Sequence, residues 1–259
     1  MNNQLNQKPQ QLRLNKFLAE RLGVSRREAD ELILAGKVSV NGNKAELGGK
    51  IDKNDKVCYN NKVVPFQAHF LYLALNKPVG YVCSRRAQGE AKTIYELLPK
   101  KYHHLKSVGR LDKDSSGLIL LTNDGDFAFK MTHPKFRKNK VYEVELDQPL
   151  EPLHQQMISD YGVEIGDGAS QFKIIKITSA GDGAGGTPTA RSRQASTVGE
   201  TATAGPAEKY IVILSEGRNR QIRRTFAALG YEVTKLHRTQ FGKYELGDLQ
   251  SGKYVIIEP

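Results

Sequence analysis

Alternation of apolar and polar residues constrains the fold of this chain more than any other feature. Six segments after residue 67 favour β-strands, and most of them alternate: 70–75, 117–122, 140–146, 171–178, 209–215 and 253–258. A period of two places apolar side chains on one face of a strand, as in an antiparallel sheet. Residues 218–230 favour a helix with Ile222, Phe226 and Leu229 on its apolar face. We therefore predict an α+β domain over residues 67–259, with a mainly antiparallel mixed sheet.

Residues 12–66 are predicted to form a smaller, separate domain. Gly23 ends a first amphipathic helix, and Ser25 with Glu28 is typical of a capping box that starts a second. The dipeptide Asn41-Gly42 favours a type I′ hairpin turn, so a small sheet should follow the helix pair. Basic side chains on this domain predict phosphate contacts that position an RNA without reading its sequence. They are Arg13, Lys16, Arg26 and Arg27.

Two segments lack the apolar residues that a folded core needs. Residues 1–11 are polar and predict a disordered leader rather than a secretion signal. Residues 179–208 are rich in Gly, Ala, Ser and Thr, and strand candidates flank them on both sides. Such a composition buries too little apolar surface to offset its ordering entropy, so we expect a long flexible hairpin loop.

Composition narrows the partners of this chain. The net charge of +11 indicates a polyanion, most simply a nucleic acid. Its two cysteines, Cys58 and Cys83, lie far apart and are typical of reduced thiols in a cytoplasmic protein. No apolar run approaches the roughly 20 residues that span a bilayer, and no feature of the sequence indicates an obligate dimer. We expect a cytoplasmic monomer.

The segment SVGRLDKDSSGLILLTNDGDF, residues 107–127, places two aspartates and an arginine directly before an apolar strand. Asp112-x-Asp114-x-Ser116-Gly117 matches the first half of a calcium-binding loop, but Asn123 stands where a bidentate glutamate belongs. A simple turn explains residues 114–117 but not Asp112. A catalytic carboxylate would explain Asp112. The later tripeptide Asn123-Asp124-Gly125 is predicted to form a structural turn.

Two sets of motifs resemble known families. Residues 13–45, RLNKFLAERLGVSRREADELILAGKVSVNGNKA, resemble the S4 RNA-binding domain. GRLDKDSSGLILLTNDGDFA is similar to the signature of the RNA pseudouridine synthases that act on ribosomal RNA. Three further motifs of that family occur in the order expected for it. LALNKPVGYVCS precedes the signature, and KVYEVEL and SEGRNRQIRRTFAALGYEVTKLHRTQFG come after it. Such enzymes convert a uridine within RNA to pseudouridine without a cofactor or a metal.

The resemblance implies a catalytic site of three residues. Asp112 matches the essential aspartate, Tyr142 matches a tyrosine that stacks on the target base, and Arg223 matches the arginine that pairs with the aspartate. The carboxylate could attack the anomeric carbon, add to carbon six of the uracil, or take a ribose proton, and the sequence leaves these routes open. Further RNA contacts are predicted at Lys77, Arg110, Arg218, Arg220 and Arg224, with a weaker candidate at His237. Asp114 is expected to bind backbone amides of the turn.

Two functions fit this pattern. The first is a pseudouridine synthase for ribosomal RNA, with the large-subunit (23S) RNA favoured over the small-subunit (16S) RNA as the target. The second is a ribosome-assembly protein that binds ribosomal RNA and keeps the fold without the activity. The presence of Asp112, Tyr142 and Arg223 favours the enzyme.

Overall fold

A computed structural model describes residues 11–85, 89–177 and 208–259. The predicted leader apart from Gln11, and the predicted hairpin loop apart from Glu208, therefore lie outside the described residues. No helix among the described residues is long and apolar enough to cross a bilayer.

The N-terminal part is a helix pair packed on short strands. Its elements are β1 (Leu12–Arg13), α1 (Leu14–Leu22), α2 (Arg26–Leu34), β2 (Val38–Val40), β3 (Asn43–Lys44), β4 (Lys50–Ile51), β5 (Val57–Tyr59) and β6 (Lys62–Val63). Four strands form a sheet in the order β3-β2-β5-β6, and β1 pairs with β4. Phe17, Leu18 and Ile33 lie at the centre of a separate apolar core.

The local signals that predicted these helices and turns are confirmed. The side chain of Ser25 accepts a hydrogen bond from the Glu28 amide at 3.1 Å, and the Glu28 carboxylate accepts one from the Ser25 amide at 2.6 Å. Gly23 ends α1 with a φ of 71°. Asn41 and Gly42 also have positive φ angles, as a type I′ turn requires.

The C-terminal part is built on one large mixed sheet. The strands of that sheet are β7 (Tyr72–Lys77), β8 (Lys106–Val108), β9 (Ser116–Thr122), β10 (Lys140–Leu146), β13 (Lys173–Lys176), β14 (Glu208–Leu214), β15 (Val233–Phe241), β16 (Tyr244–Glu245) and β17 (Tyr254–Ile256). Between β10 and β13, β11 (Val163–Glu164) and β12 (Ala169–Ser170) pair with each other in a separate two-stranded sheet. The α-helices of this part are α3 (Gly125–Thr132), α4 (Pro152–Gln156) and α5 (Gln221–Ala227). Short 3₁₀ helices cover Ile94–Leu97, Lys100–Tyr102 and Pro134–Phe136, and a π-helical turn covers Met157–Tyr161.

One parallel contact in this sheet positions the turn that carries Asp112. The strand order is β13-β14-β10-β15-β9-β7-β17, with β16 beside β15 and β8 beside β9. All of these pairings are antiparallel except that of β9 with β15, where Gly117 lies opposite Arg238. Since residues 110–115 lead into β9, this pairing places them next to β15 and its neighbour β10. The sheet is therefore mixed and mainly antiparallel, as predicted.

Two elements differ from the sequence prediction. The helix predicted at 218–230 begins only at Gln221, because Arg220 adopts a left-handed conformation with a φ of 47°. The segment Asn123-Asp124-Gly125 was predicted to be a turn, but Asp124 instead caps a helix. Its carboxylate accepts hydrogen bonds from the amides of Asp126 and Phe127 at 2.9 and 3.0 Å. Asp is a favoured N-cap residue as well as a turn residue, so the local pattern fits both structures.

Candidate active site

A cavity of about 280 Å³ opens where the 110–115 turn meets β10, β15 and the start of α5. Asp112, Tyr142 and Arg220 all line this cavity, together with Lys140 and Arg238. Apolar walls come from Leu111, Ile222, Leu236 and Phe241. The cavity therefore combines the Asp112 carboxylate with a cationic and apolar surround.

Asp112 lies at a partly exposed position of this cavity. Its side chain is 35% exposed, and its backbone carbonyl accepts a hydrogen bond from the Ser115 amide at 3.1 Å. That bond closes the turn, so the carboxylate is presented from a fixed backbone. The nearest cation is Arg220, whose Nη1 lies 3.9 Å from Asp112 Oδ2.

The arginine pairing differs from the prediction. Arg223 was expected to pair with Asp112, but its Nε lies 3.2 Å from Asp114 Oδ2 and its Nη2 donates to the Asp114 carbonyl at 2.9 Å. Arg220 also binds the Asp114 carboxylate, at 2.9 and 3.1 Å. Besides the amide of its own residue, the Asp114 carboxylate therefore binds two guanidinium groups, because α5 packs directly against this loop.

These bonds set the protonation state of Asp114. Burial by itself raises the pKa of a carboxyl group, but the hydrogen bonds from Arg220 and the charge of Arg223 outweigh it, and the pKa of Asp114 is lowered. Arg223 also donates to the Val233 carbonyl at 2.5 Å. It therefore joins the turn before β9 to the start of β15, which is a positioning role.

Tyr142 lies in the wall of the cavity. It is 8% exposed and belongs to the main apolar core, so its ring is largely packed while part of it contacts the cavity. The prediction that this ring meets the target base stays a prediction, and its place on the cavity wall is compatible with stacking.

Lys77 does not reach the surface. It is completely buried, and its Nζ donates to the Pro78 carbonyl at 3.0 Å. The ammonium group is therefore not accessible from the surface, and the predicted RNA contact at this residue stays a prediction. Burial lowers the pKa of Lys77 to about 8, while Cys83, Asp112 and Asp114 oppose the shift.

Two of the arginines predicted to meet RNA hold a loop of the protein. Arg218 donates to the carbonyls of Gly168 and Ala169 at 2.9 and 2.7 Å, and Arg224 Nη2 lies 2.6 Å from Asp167 Oδ1. The hydrogen bonds of these two arginines stabilise the loop between β11 and β12, which is distant from them in the sequence. Both arginines are less available to phosphates than their clustering suggested.

The remaining predicted RNA contacts are distributed over both domains. Arg110 is exposed and lines the cavity, while Arg13, Arg26 and Arg27 are exposed on the N-terminal domain. Lys16 forms an ion pair with Asp126 at 2.6 Å, across the two domains. His237 accepts from or donates to Ser116 at 2.8 Å, and burial lowers its pKa.

Sequence reasoning missed two cations of the cavity. Lys140 donates to the Glu216 carbonyl at 3.0 Å, and Arg238 Nε donates to the Leu118 carbonyl at 2.7 Å. Both residues stand within quoted motifs, but nothing local marks them as facing a cavity. Their position depends on the pairing of β10 with β15, where Tyr142 lies opposite Arg238.

The two aspartates of the turn do not form a metal site with other residues. Among residues 11–85, 89–177 and 208–259, no group of three or more His, Cys, Asp or Glu side chains is placed to hold a metal ion. Asp114 is directed at Arg220 and Arg223, which disfavours a dication at the same position.

An accessory domain with exposed cations and a second domain with an aspartate beside a cation-rich cavity define an RNA-modifying enzyme. Comparison with known proteins supports this class. Residues 71–228 match the family model described as RNA pseudouridylate synthase, and residues 12–57 match the S4 domain. The chain therefore belongs to the RNA pseudouridylate synthase family, and it is a pseudouridine synthase that carries an S4 domain.

Individual relatives match along almost the whole chain. The ribosomal small subunit pseudouridine synthase A of Pasteurella multocida (strain Pm70) is 36% identical, over 94% of each chain. The ribosomal large subunit pseudouridine synthase B of Bacillus subtilis (strain 168) is 33% identical, over 93% of this chain and 89% of the relative. A solved pseudouridylate synthase is 29% identical, with a TM-score of 0.60 over 95% of this chain and 96% of that one.

Proposed function

We propose that this protein isomerises one uridine of ribosomal RNA to pseudouridine, with Asp112 as the catalytic carboxylate. The observation that carries the proposal is the cavity, which brings Asp112 together with Tyr142 and a cluster of cations. A uridine must leave its stack to reach such a site, and an aromatic wall with cations around it suits an extruded base.

Each of the three predicted catalytic residues has a role in this proposal. Asp112 acts on the nucleotide by one of the three routes, and Tyr142 contacts the base. Arg223 is a positioning residue, because it binds Asp114 and Val233 rather than the catalytic carboxylate. Arg220 takes the place predicted for Arg223, since it is the cation nearest to Asp112.

The target RNA is the finer part of the proposal. The motif resemblance favours large-subunit RNA, and one relative with a name of that kind is 33% identical. A small-subunit target is the second candidate, favoured by the 36% identical relative that is named for the small subunit. The domain boundaries at residues 12 and 66, the cytoplasmic location and the monomeric state stay predictions.

The test is a map of pseudouridines in both ribosomal RNAs from a strain that lacks the gene. We expect one uridine to lose its modification and to regain it when the wild-type gene is restored. Asp112→Asn should leave that uridine unmodified, while the purified variant binds the RNA with a Kd within about threefold of wild type, because the change removes the charge and keeps the shape.

The alternative functions give different maps. Persistence of the pseudouridine in cells that carry only Asp112→Asn would show that Asp112 is not the catalytic group. An unchanged map in the deletion strain would favour the ribosome-assembly protein. The subunit to which the lost pseudouridine belongs decides between the two targets.

A further inference from the structure

Two neighbouring strands of the cavity wall each carry a cation that no acidic residue neutralises. Lys140 and Tyr142 are two residues apart on β10 and both line the cavity, and Arg238 lies opposite Tyr142 on β15. Across the described parts of the chain, neither Lys140 nor Arg238 forms an ion pair. By contrast, Arg218, Arg220, Arg223 and Arg224 are all paired with carboxylates. Exposed Arg110, which also lines the cavity and forms no ion pair among the described residues, lies in the 110–115 turn, whereas Lys140 and Arg238 lie together on β10 and β15.

These two cations also keep hydrogen-bond donors unused. Arg238 is only 2% exposed; its Nε is bound to Leu118, but its Nη2 is buried with no partner among the described residues. Lys140 has three donors, and the Glu216 carbonyl accepts one of them. A buried donor without a partner costs about 1–3 kcal/mol. That cost is recovered when an anionic acceptor enters the cavity.

The surroundings strengthen the demand for an anion. Phe241 lies beneath both cations, with its ring centre 4.9 Å from the Arg238 guanidinium carbon and 5.5 Å from Lys140 Nζ. Burial lowers the pKa of Lys140 to about 8, with the charge of Arg238 adding to the shift and Glu216 opposing it. The charge of Arg238 therefore disfavours the charged form of Lys140, and a bound anion relieves this repulsion.

The isomerisation generates an anion in this cavity. When the bond between C1′ and N1 breaks, its electron pair stays on the uracil, where N1 and the two carbonyl oxygens share the charge. If a carboxylate first adds to carbon six, the charge appears on the O4 side of the ring instead. Bond formation between C5 and C1′ consumes the charge, and the carboxylate leaves C1′ or C6, or returns the ribose proton, according to the route. C5 then loses a proton, and N1 gains one. Every route thus passes through a negatively charged uracil.

We propose that Lys140 and Arg238 bind the anionic uracil ring and donate hydrogen bonds to its carbonyl oxygens while it is detached or activated. The alternative anion is a phosphate of the RNA backbone. Arg238 is buried in the cavity wall at 2% exposure, whereas Asp112 is 35% exposed. The base is the part of an extruded nucleotide that enters an enzyme pocket, so it reaches Arg238 more readily than a phosphate does. The inference rests on the proposed function, since it concerns the same cavity.

Lys140 provides the test, because Arg238 is too deeply buried for a substitution that preserves the fold. Lys140→Gln keeps a donor for the Glu216 carbonyl and removes the charge, while Lys140→Arg retains the charge. Lys209→Met is the matched control: this lysine is 62% exposed on β14 and does not line the cavity. The substrate is ribosomal RNA from the strain that lacks the gene. Single-turnover rates at saturating enzyme and RNA Kd values are measured for each variant.

We expect Lys140→Gln to lower the single-turnover rate by about 10²–10³-fold, as for removal of a preorganised donor at a developing charge, with the Kd within about threefold. Lys140→Arg should recover much of that loss, and Lys209→Met should match wild type. Two results would overturn the inference: a Lys140→Gln rate within about threefold of wild type, or a loss confined to Kd with a salt slope reduced by about one, which marks a phosphate contact. A wild-type protein that forms no pseudouridine would overturn the proposed function and this inference with it.

Discussion

At the scale of single residues, the two aspartates of the turn before β9 have different partners. Asp114 is held by Arg220 and Arg223, whereas Asp112 has only the Arg220 guanidinium at 3.9 Å. The ion pairs of Asp114 fix the turn, so the neighbouring carboxylate is oriented without being consumed by a bidentate pair of its own. A catalytic aspartate needs that freedom, because it must contact the substrate.

Buried Lys77 gives a prediction about pH and stability. Its pKa is about 8 in the folded protein and 10.5 when exposed, so the folded state releases the proton first. Below pH 8 the cost of burying the charge is fully present; between pH 8 and 10.5 it is relieved, so this residue makes stability rise with pH. We expect the free energy of unfolding of wild type, relative to Lys77→Met, to rise by about 2 kcal/mol from pH 7 to 9.5.

Urea unfolding of both proteins at the two pH values measures this difference. Other titrating groups, including Lys140, occur in both proteins and cancel in the comparison. A difference that stays constant with pH would mean that Lys77 does not lose its proton in this range.

Single residues also show what the sequence could reveal. Asp112 and Tyr142 were found because a resemblance marks their motifs, and both line the cavity. The partner of Arg223 was predicted wrongly, since Asp114 and Arg223 are 109 residues apart and only the packing of α5 on the turn decides between two neighbouring aspartates. Lys140 and Arg238 were not predicted as cavity residues, because their position beside the cavity depends on the pairing of β10 with β15.

At the scale of elements, the parallel contact between β9 and β15 positions the turn that carries Asp112. Gly117 permits it: its φ is +102°, and a Cβ there would lie 2.6 Å from the Arg238 backbone nitrogen and closer still to its carbonyl oxygen. Gly80 has a similar φ of +92° but open space around it. A substitution at Gly80 therefore introduces backbone strain alone, whereas one at Gly117 adds a steric clash with β15.

We expect Gly80→Ala to cost about 1–2 kcal/mol, from strain alone. Gly117→Ala should cost several kcal/mol more, because β9 and β15 must move apart, and it should abolish activity by displacing Asp112. Thermal and urea unfolding of the two variants, with pseudouridine formation as a second readout, gives the comparison. Equal losses would mean that the approach of the strands relaxes without cost.

The sequence predicted the helix starts and turns that are stabilised by residues close together in the chain. The capping box of Ser25 and Glu28, and the Asn41-Gly42 turn, depend on residues within three positions of each other. Helix α3 was not predicted because Asp124 is favoured both in turns and at helix N-caps. In the structure the Tyr72 hydroxyl on the distant strand β7 donates to the Asp124 carboxylate at 2.8 Å, a contact that the local sequence does not reveal. Local patterns thus predict helix ends and turns that neighbouring residues stabilise, and they fail where a contact with a distant strand determines the structure.

At the scale of the whole molecule, polar contacts join the N-terminal domain, which has its own apolar core, to the C-terminal domain. Lys16 on α1 binds both carboxylate oxygens of Asp126 on α3, at 2.6 and 2.7 Å, and Lys106 donates to the Val24 carbonyl at 2.9 Å. Asp126 is 65% exposed, so its ion pair adds little stability. We expect it to act instead on the orientation of the S4 domain relative to the cavity.

This contact predicts a rescue by charge exchange. Lys16→Glu should place two carboxylates against each other, shift the S4 domain and weaken RNA binding by about fivefold, or roughly 1 kcal/mol. Adding Asp126→Lys restores opposite charges, so the double variant should recover most of the affinity. Arg27→Glu is the control, because this exposed residue has no contact with Asp126, and Asp126→Lys should not rescue it. Filter-binding with ribosomal RNA at fixed salt measures wild type, the two single variants and the two double variants. If the double variant binds no better than Lys16→Glu, then Lys16 contacts RNA phosphates directly, and the predicted RNA role of that residue replaces the orienting one.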